Sequence, residues 1–235
     1  MAQLIDNYAY VLVDMTGEAP YKAVAIDCSD SAALIDALDI IATHDYGSSK
    51  ALRLEAILST HKHWDHSAGN ENMLKLVPEC TKVYGGKADN VPACTDPLED
   101  GEEIPVGTMT IRAIATPCHT RGSMCYLVSG VRRQALFTGD TLFCGGCGAP
   151  FEGSQSLMET CFQKLWVETC AKPDDALQTM LFPGHEYSDA LIPEYFRHGG
   201  PMHLPTSANG KPNRATRRAA RVLMLLSAPR QATSG

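Results

Sequence analysis

The stretch Ser59-Thr60-His61-Lys62-His63-Trp64-Asp65-His66-Ser67 holds four residues of metal-binding types within seven consecutive positions. His61 and His63 are two positions apart, a spacing that shares one side of an extended segment and not one face of a helix. The apolar run before them predicts a buried strand at residues 52–58, and Gly69-Asn70 predicts a turn that opens a helix. The sequence therefore places a candidate metal site in a loop at the carboxyl end of a strand, where α/β sheets bind ligands. The four residues are His61, His63, Asp65 and His66.

Three later strands are predicted to end in the same kinds of side chain. Alternating apolar residues predict a strand at 109–115, and His119 follows its end. Short strands near 134–137 and 179–182 run into Asp140 and His185. Together these strand ends give seven ligand-type residues, a set that suits two divalent ions sharing one carboxylate. Two such ions about 3.5–4 Å apart would acidify a water and stabilise an oxyanion.

Taken singly, each of these residues carries little information, because most histidines are surface or core residues. We expect that ordinary role for His44, His198 and His203. The seven other residues fall at four predicted strand ends, which favours a shared site over independent placements. Cys144 and Cys147 form a C-x-x-C pair without a second pair, and we interpret them as buried structural thiols in a tight loop.

The rest of the chain predicts strands mixed with helices. Runs rich in β-forming residues at 8–15 and 23–28 predict an antiparallel hairpin, and Asp30 predicts the cap of a helix that ends near Tyr46. Ser156 and Glu159 fit a capping box that opens a further helix, with Leu157, Cys161, Leu165 and Trp166 on one side. The remaining predictions are a helix at 70–77, a strand at 82–84, an irregular connection at 86–107, a strand at 124–129, a helix at 190–198 and a basic amphipathic helix at 215–226.

Length and composition favour a soluble globular protein. At 235 residues and 44% hydrophobic composition, the chain can bury the core of one α/β domain, with or without a small appendage. No apolar run approaches the roughly 20 residues of a membrane span, and the start lacks a signal-peptide pattern, so we expect a cytoplasmic protein, with the mitochondrion as the alternative. Nine scattered cysteines favour reduced thiols. Six basic and no acidic residues follow residue 200, so residues 1–200 carry a net charge of −13, which argues against a nucleic-acid groove.

The motifs at the strand ends resemble those of a known superfamily. T-H-x-H-x-D-H at 60–66, T-P-x-H-T at 116–120, F-T-G-D-T-L-F at 137–143 and P-G-H-E-Y at 183–187 are similar to the metallo-β-lactamase superfamily. Within it, ALFTGDTLFCGGCG, FEG and GHEY resemble glyoxalase II, the hydroxyacylglutathione hydrolases, and the chain is also similar to the glyoxalase-like domain of the paroxysmal nonkinesigenic dyskinesia protein. The resemblance covers about residues 4–187 and implies an α/β fold, an αββα sandwich with a shortened C-terminal helical segment.

The resemblance also implies a role for each candidate ligand. One ion would have three imidazole ligands, the other two imidazoles and a carboxylate, and a further carboxylate would bridge them. The first set is His61, His63 and His119, the second is Asp65, His66 and His185, and the bridge is Asp140. Asp65 and Asp140 would be the catalytic carboxylates. These ligand types suit zinc first, with iron or manganese as the other candidate ions.

The resemblance weakens where family members bind the glutathione half of their substrate. Ala149 stands where the family has a lysine and Phe151 where it has a tyrosine, whereas Tyr187 is retained. Loss of a cation and a hydroxyl would remove contacts worth on the order of 1–3 kcal/mol each, so we predict weak or altered thiol specificity. A basic C-terminal helix would either add weaker substrate contacts or dock on the acidic body. Its arginines are Arg217, Arg218 and Arg221.

The sequence thus predicts a dinuclear metallohydrolase that cleaves a 2-hydroxyacyl thioester, S-lactoylglutathione first, to lactate and glutathione. One alternative is a persulfide dioxygenase with a single iron held by two histidines and an aspartate, and the other is a non-catalytic interaction protein that keeps the fold. The expected partner is a small glutathione-type thioester, with no nucleic acid and no membrane, and the expected state is a monomer. We divide the chain into a catalytic domain, residues 1–187, and a short, diverged C-terminal helical segment, residues 188–235.

Overall fold

The computed structural model describes residues 6–47, 51–131, 133–169, 179–188, 191 and 221–227, and of residues 45–46 and 221–227 it describes the backbone alone. Strands and short helices alternate along this part of the chain. Within it, no helix has both the length and the apolar character that crossing a membrane needs. The elements are β1 Tyr8–Asp14, β2 Tyr21–Ile26, α1 Ser31–Tyr46, β3 Leu52–Leu58, α2 Trp64–Ser67, α3 Asn70–Leu76, β4 Lys82–Gly86, β5 Asp96–Leu98, β6 Glu103–Val106, β7 Met109–Ala115, β8 Met124–Ser129, β9 Ala135–Gly139, α4 Gln155–Thr169, β10 Met180–Pro183 and β11 Arg221–Ser227.

The strands form two sheets. The first has the order β11-β1-β2-β3-β4-β5, in which β1 and β2 are antiparallel and all other neighbours are parallel. The second has the order β10-β9-β8-β7-β6, in which only β10 and β9 are parallel. Strands β7, β9 and β10 therefore run in the same direction, so their carboxyl ends lie at one edge of the second sheet.

The space between the two sheets is filled by aromatic and aliphatic side chains. Tyr10, Tyr126, Phe137 and Phe182 are among its largest fully buried members, and the ring of Tyr10 lies 5.0 Å from that of Phe137. The buried hydroxyls are paired: Tyr126 donates to the carbonyl oxygen of Ser59 at 2.7 Å, and Tyr10 donates to that of Pro183 at 2.5 Å. Burial raises the pKa of both tyrosines well above its usual range. These bonds fix the backbone just before His61 and His185.

Helices cover the two outer faces of this pair of sheets. Leu34 and Ile41 of α1 and Met73 of α3 pack on the first sheet, and Leu165 of α4 packs on the second. The layers are therefore α, β, β and α, which confirms the predicted αββα sandwich. Burying both faces of the central strands explains why their sequences read as nearly continuous apolar runs.

Helix α1 confirms a prediction in detail. Asp30 Oδ1 accepts hydrogen bonds from the backbone nitrogens of Ala32 and Ala33, and Gly47 ends the helix with a φ of 73°. An acidic N-cap and a glycine in the left-handed region are the expected signals for the start and end of a helix. The predicted hairpin is also present, because β1 pairs with β2 in antiparallel register.

Three predictions about secondary structure were wrong. Residues 86–107 are not an irregular connection, because β5 and β6 lie within them. Helix α4 is capped by Ser154, whose Oγ accepts from the Leu157 nitrogen, and Trp166 is exposed on its outer face. Residues 221–226, the end of the helix predicted at 215–226, lie in strand β11 beside β1. Almost all of the predicted helix at 190–198 and residues 215–220 lie outside the described residues.

Candidate metal centre

Four strand ends bring the predicted ligand residues to one end of the sandwich. The loop after β3 supplies four of them, and β7, β9 and β10 are each followed by one. The backbone nitrogen of Met124, at the start of β8, donates to the carbonyl oxygen of Thr60 at 2.8 Å and joins the two sheets here. The predicted convergence is therefore present. The residues that meet are His61, His63, Asp65, His66, His119, Asp140 and His185.

Three imidazoles form what we call the His119 group: His61, His63 and His119. His63 Nδ1 lies 3.0 Å from His61 Nε2 and 3.0 Å from His119 Nε2. His61 and His119 are buried, and His63 is half-buried at the surface of the group. Three ring nitrogens therefore converge on one point that is open on the His63 side.

Two imidazoles and a carboxylate form what we call the His185 group: Asp65, His66 and His185. The Nε2 atoms of His66 and His185 are 3.2 Å apart, and Asp65 Oδ2 lies 3.6 Å from the first and 3.5 Å from the second. Asp65 and His66 lie on α2, a four-residue helix, which turns both side chains toward the centre.

Asp140 lies between the two groups. Its Oδ1 is 3.3 Å from His66 Nε2 and 3.4 Å from His185 Nε2, while its Oδ2 is 3.5 Å from His119 Nε2. Burial would raise the pKa of Asp140, but the neighbouring His185 and His66 outweigh burial and hold its pKa well below the usual range. Asp140 is thus a carboxylate that can serve both groups at once.

In the His119 group, the hydrogen bonds of two outer nitrogens, the Nδ1 atoms of His61 and His119, determine that the Nε2 atoms facing into the group lack a proton. His119 Nδ1 donates to the carbonyl oxygen of Ala149 at 2.8 Å. The Thr60 hydroxyl donates to Asp27, so it accepts from His61 Nδ1 at 3.1 Å. Burial lowers the pKa of both histidines, so their rings are neutral near pH 7. The Nε2 atoms of both therefore carry lone pairs that point at His63.

This arrangement fits a bound cation. Two lone pairs lie 3.0 Å from the same His63 nitrogen, and a single N–H can serve only one of them. Ligands about 2.1 Å from one zinc ion at a tetrahedral angle are about 3.4 Å apart, close to the separations within both groups. In addition, Asp140 Oδ1 is buried without a hydrogen-bond partner. The residues present suit divalent metal ions, with zinc, iron and manganese all compatible with imidazole and carboxylate ligands.

The His185 group is supported from behind by carboxylates. Asp27 Oδ2 lies 2.9 Å from His66 Nδ1, and Asp6 Oδ1 lies 3.6 Å from His185 Nδ1. Burial lowers the pKa of His66, but Asp27 and Asp140 outweigh burial and raise it to about 10. Metal-free His66 is therefore protonated near pH 7, and a divalent cation would replace that proton.

Two glycines permit the close approach of these groups. A Cβ on Gly184 would lie 2.7 Å from both Asp140 Oδ1 and His66 Cε1. A Cβ on Gly148 would lie 2.8 Å from His119 Nδ1 and would also overlap the carbonyl oxygen of Asp140. A third glycine, Gly139, has a φ of 48°, and a Cβ there would overlap the side chain of Thr60.

The predicted substrate residues lie beside the two groups. The ring of Phe151 is 70% exposed and lies 5.1 Å from the ring of His119, whereas Ala149 contacts His119 through its backbone. Tyr187 stacks on His185 with ring centroids 4.8 Å apart, and burial with nearby carboxylates raises its pKa to about 12. Arg217 and Arg218 lie outside the described residues, and Arg221 begins strand β11 instead of lying on a helix.

Sequence reasoning missed the residues that hold the site from outside. Asp27 follows strand β2 directly and is buried, so the strand-end rule that found the ligands would also have found it. Lys62 was passed over between two histidines, yet its Nζ lies 2.6 Å from Glu152 Oε1 and 3.6 Å from Asp89 Oδ1. Only the fold brings the last two residues to Lys62, so no local pattern identifies them.

Some side chains near the site depart from their predicted environment. Cys144 is buried as expected, but Cys147 is exposed. Trp64, which lies within the metal loop, is 60% exposed. His44 is exposed on α1, as predicted, while His198 and His203 lie outside the described residues.

Comparison with known proteins gives a consistent match. The description of the matching family is metallo-beta-lactamase superfamily, and its model covers residues 10–226. A cytoplasmic hydroxyacylglutathione hydrolase of Arabidopsis thaliana is 39% identical over 191 residues, which are 79% of this chain and 66% of that protein. A probable hydroxyacylglutathione hydrolase of Schizosaccharomyces pombe is 35% identical over 193 residues, 82% of this chain and 69% of that protein. The crystal structure of ETHE1 from Myxococcus xanthus superposes with a TM-score of 0.57 at 27% identity, covering 75% of this chain and 72% of that one.

Proposed function

Because this chain belongs to the metallo-β-lactamase superfamily and, within it, to the hydroxyacylglutathione hydrolase (glyoxalase II) family, we propose that it is a metal-dependent thioester hydrolase. The proposed substrate is a 2-hydroxyacyl thioester, S-lactoylglutathione first, and the products are lactate and glutathione. The names of the relatives support this substrate class. Since the chain spans 66% of the length of the Arabidopsis relative, just under two thirds, the activity is inferred for the chain and not transferred as a fact.

The observation that carries the proposal is the meeting of two imidazole groups on one shared carboxylate. We assign one ion to the His119 group, a second ion to the His185 group, and Asp140 to both. Divalent ions held there would supply Lewis acidity that polarises a thioester carbonyl and brings the pKa of a water near 7. Zinc is our first choice of ion, with iron or manganese as the other candidates.

The side chains of the site then have separate tasks. Asp65 Oδ2 and Asp140 Oδ1 lie 3.5 Å and 3.4 Å from His185 Nε2, so either carboxylate is placed to accept the proton that a water attacking from this group would lose. Phe151 and Tyr187 provide ring faces on either side, against which the thioester would lie. The thiolate is a good leaving group and needs little help from an acid, so a dedicated proton donor for it is unnecessary.

Three finer assignments accompany this proposal. We propose a cytoplasmic location, supported by the name of the Arabidopsis relative. We also propose a catalytic domain at residues 1–187 followed by a separate C-terminal segment, although β11 returns to the first sheet beside β1. The third assignment is altered recognition of the thiol half of the substrate, because Ala149 and Phe151 offer neither a cation nor a hydroxyl.

The test combines metal analysis with a hydrolysis assay. Protein loaded separately with zinc, iron or manganese should bind two ions per chain and release free thiol from S-lactoylglutathione. His63→Gln should lose an ion and most of the turnover, whereas His44→Gln, a matched change at an exposed histidine away from the site, should change neither.

Two results would overturn the proposal in different directions. One iron per chain with oxygen uptake on a persulfide substrate would establish the dioxygenase alternative. Tight binding of two ions without turnover on a broad panel of thioesters and esters would instead indicate a non-catalytic protein that keeps the fold.

A further inference from the structure

Lys62 joins the candidate metal centre to a loop that is distant in sequence. It lies between His61 and His63, but its side chain leaves the centre and reaches residues 149–153. There Lys62 Nζ lies 2.6 Å from Glu152 Oε1. The backbone of the metal loop is therefore connected through a single side chain to the loop that follows Asp140.

Glu152 extends this connection to the loop of His119. Its Oε2 accepts a hydrogen bond from the backbone nitrogen of Arg121 at 2.7 Å, and its own backbone nitrogen donates to the carbonyl oxygen of Cys118 at 3.1 Å. The Glu152 carboxylate thus binds the ammonium group of Lys62 with one oxygen and the backbone amide of Arg121 with the other. Both partners flank candidate metal ligands in sequence.

Asp89 holds Lys62 in place from the buried side. This carboxylate is fully buried and accepts from the backbone nitrogen of Lys62 at 2.5 Å and from that of Gly122 at 3.2 Å. Its Oδ1 also lies 3.6 Å from Lys62 Nζ. Gly122 has no room for a side chain, because a Cβ there would overlap Asp89. The position of Lys62 is therefore fixed at both its backbone and its ammonium group.

The loop at 149–153 forms one wall of the site. Phe151 places its ring 5.1 Å from that of His119 and 6.0 Å from that of His63, and Ala149 accepts the hydrogen bond from His119 Nδ1. Phe151 has little packing of its own, since 70% of it is exposed. Its position over the imidazoles therefore depends on how the backbone of its loop is held, and Glu152 is the next residue.

We propose that the ion pair between Lys62 and Glu152 holds the 149–153 loop against the His119 group, which makes both residues positioning residues for substrate binding. This inference rests on the proposed hydrolase function for its kinetic consequence only. Neither side chain touches the reacting atoms. Loosening the loop would mainly weaken the binding of substrate and leave the chemical step nearly unchanged.

The first part of the test needs no substrate. Hydrogen exchange is measured on metal-loaded wild type and on Lys62→Met, Glu152→Gln and the double variant. We expect exchange at residues 118–122 and 148–153 to rise about threefold to tenfold in each single variant. The double variant should show less than the combined effect of the two single variants, because the interaction between Lys62 and Glu152 is lost only once. Lys62→Arg should retain the protection of the wild type.

A matched control is available on the same molecule. Lys164 has the same side-chain exposure as Lys62, 31%, and its Nζ lies 2.5 Å from Asp100 Oδ1. The same ammonium donates to the carbonyl oxygen of Ala115 at 3.0 Å, at the end of β7. Lys164→Met therefore removes an ion pair that does not involve the 149–153 loop, and it should leave exchange at 148–153 unchanged.

The second part measures kinetics with S-lactoylglutathione. Lys62→Met and Glu152→Gln should raise KM about threefold to tenfold, change kcat by less than about twofold and retain the full metal content. Unchanged exchange in both single variants, additive effects in the double variant, or a fall in kcat at constant KM would overturn the proposal. If Lys62→Met does not fold, Glu152→Gln breaks the same pair from its exposed side. Absence of turnover in the wild type would refute the hydrolase proposal alone, because the exchange data would still decide the role of the ion pair.

Discussion

The His119 group and the His185 group contain similar ligands, but they are supported from behind by different chemistry. Neutral oxygens face the outer nitrogens of the first group, from the Thr60 hydroxyl and the Ala149 carbonyl. Carboxylates face those of the second, with Asp27 at 2.9 Å and Asp6 at 3.6 Å. A carboxylate behind an imidazole makes it a stronger ligand. The difference therefore predicts that the His185 group holds its ion more tightly.

The two groups also differ on the side that faces substrate. Phe151, an exposed ring without a polar group, lies over the His119 group. Tyr187, whose pKa is raised by burial and by the nearby carboxylates of Asp6, Asp140 and Asp65, stacks on His185. The more weakly supported ion would thus lie on the side with the apolar wall, and the more strongly supported ion on the side with the phenol.

Removal of the carboxylate shared by both groups should have the largest effect and abolish the distinction between them. Asp140→Asn keeps the shape but removes the charge that lies between His66, His185 and His119. We expect kcat for S-lactoylglutathione to fall by about 10³-fold, a loss comparable to removal of a principal electrostatic group. We also expect less than two ions per chain by elemental analysis. Full activity with two bound ions would show that the groups do not depend on Asp140.

Substitution of the residues behind the imidazoles tests the comparison directly. Asp27→Asn removes the carboxylate behind His66, and asparagine tolerates the φ of 59° at this position. Its side-chain oxygen can still accept the hydrogen bond from the Thr60 hydroxyl, which lies behind His61. Metal affinity should fall by about 10-fold to 100-fold at the His185 group. Thr60→Val removes the neutral hydroxyl behind His61, and its effect should be smaller.

Competition with a chelator of known affinity measures both losses. An equal or larger loss for Thr60→Val would contradict the view that the carboxylates distinguish the two groups. The same titration on the wild type should show two steps, with the weaker step missing when the His119 group is disabled by His63→Gln.

Two glycine substitutions would crowd Asp140 and, with it, one imidazole of a different group. Gly184→Ala would press on His66 and Asp140 Oδ1, and Gly148→Ala would press on His119 and the carbonyl oxygen of Asp140. Neither glycine has a positive φ, so crowding alone should destabilise the protein, by about 1–2 kcal/mol in each case. Thermal unfolding of metal-free and metal-loaded protein measures this. The stabilisation that metal provides should fall more for Gly184→Ala, and equal losses would show that the two groups bind equally well.

Substitution of the two aromatic residues beside the site, Phe151 and Tyr187, should give the smallest effect. Phe151→Tyr adds a hydroxyl beside the His119 group, and Tyr187→Phe removes one beside His185. A single hydrogen bond is worth about 0.5–1.5 kcal/mol, so KM should fall about twofold to tenfold in the first variant and rise by a similar factor in the second. Steady-state kinetics with S-lactoylglutathione checks both. Unchanged KM values would mean that neither hydroxyl position contacts the thiol half of the substrate.

The sequence was sufficient to predict the centre of the site because its signals are local. His61, His63, Asp65 and His66 occur within six residues, and the apolar run before them identifies the strand that carries them. The outer support was not predictable in this way. Asp89 and Glu152 meet Lys62 only after the two sheets have packed, and a single acidic residue in a loop is normally solvated.

The errors in secondary structure have a similar origin. Strands β5 and β6 are short and each contains a proline, so propensity favours a loop until partners are available in the fold. Residues 221–227 have a composition that also suits a helix. They form a strand because the edge of β1 offers backbone hydrogen-bond partners that a helix would leave unpaired. Trp166 and Cys147 show that an apolar or thiol side chain is not reliably buried by its pattern alone.

The pairing of β1 with β11 has a consequence for how the protein reaches its fold. Tyr8–Asp14 is paired on one side by a strand that follows within a few residues, and on the other by one about two hundred residues later. During synthesis, the ribosome must therefore expose a long, mostly apolar strand edge before its second neighbour emerges. Such an edge is a template for aggregation. We therefore expect slow translation to increase aggregation, and chaperone binding to reduce it, most strongly in that interval.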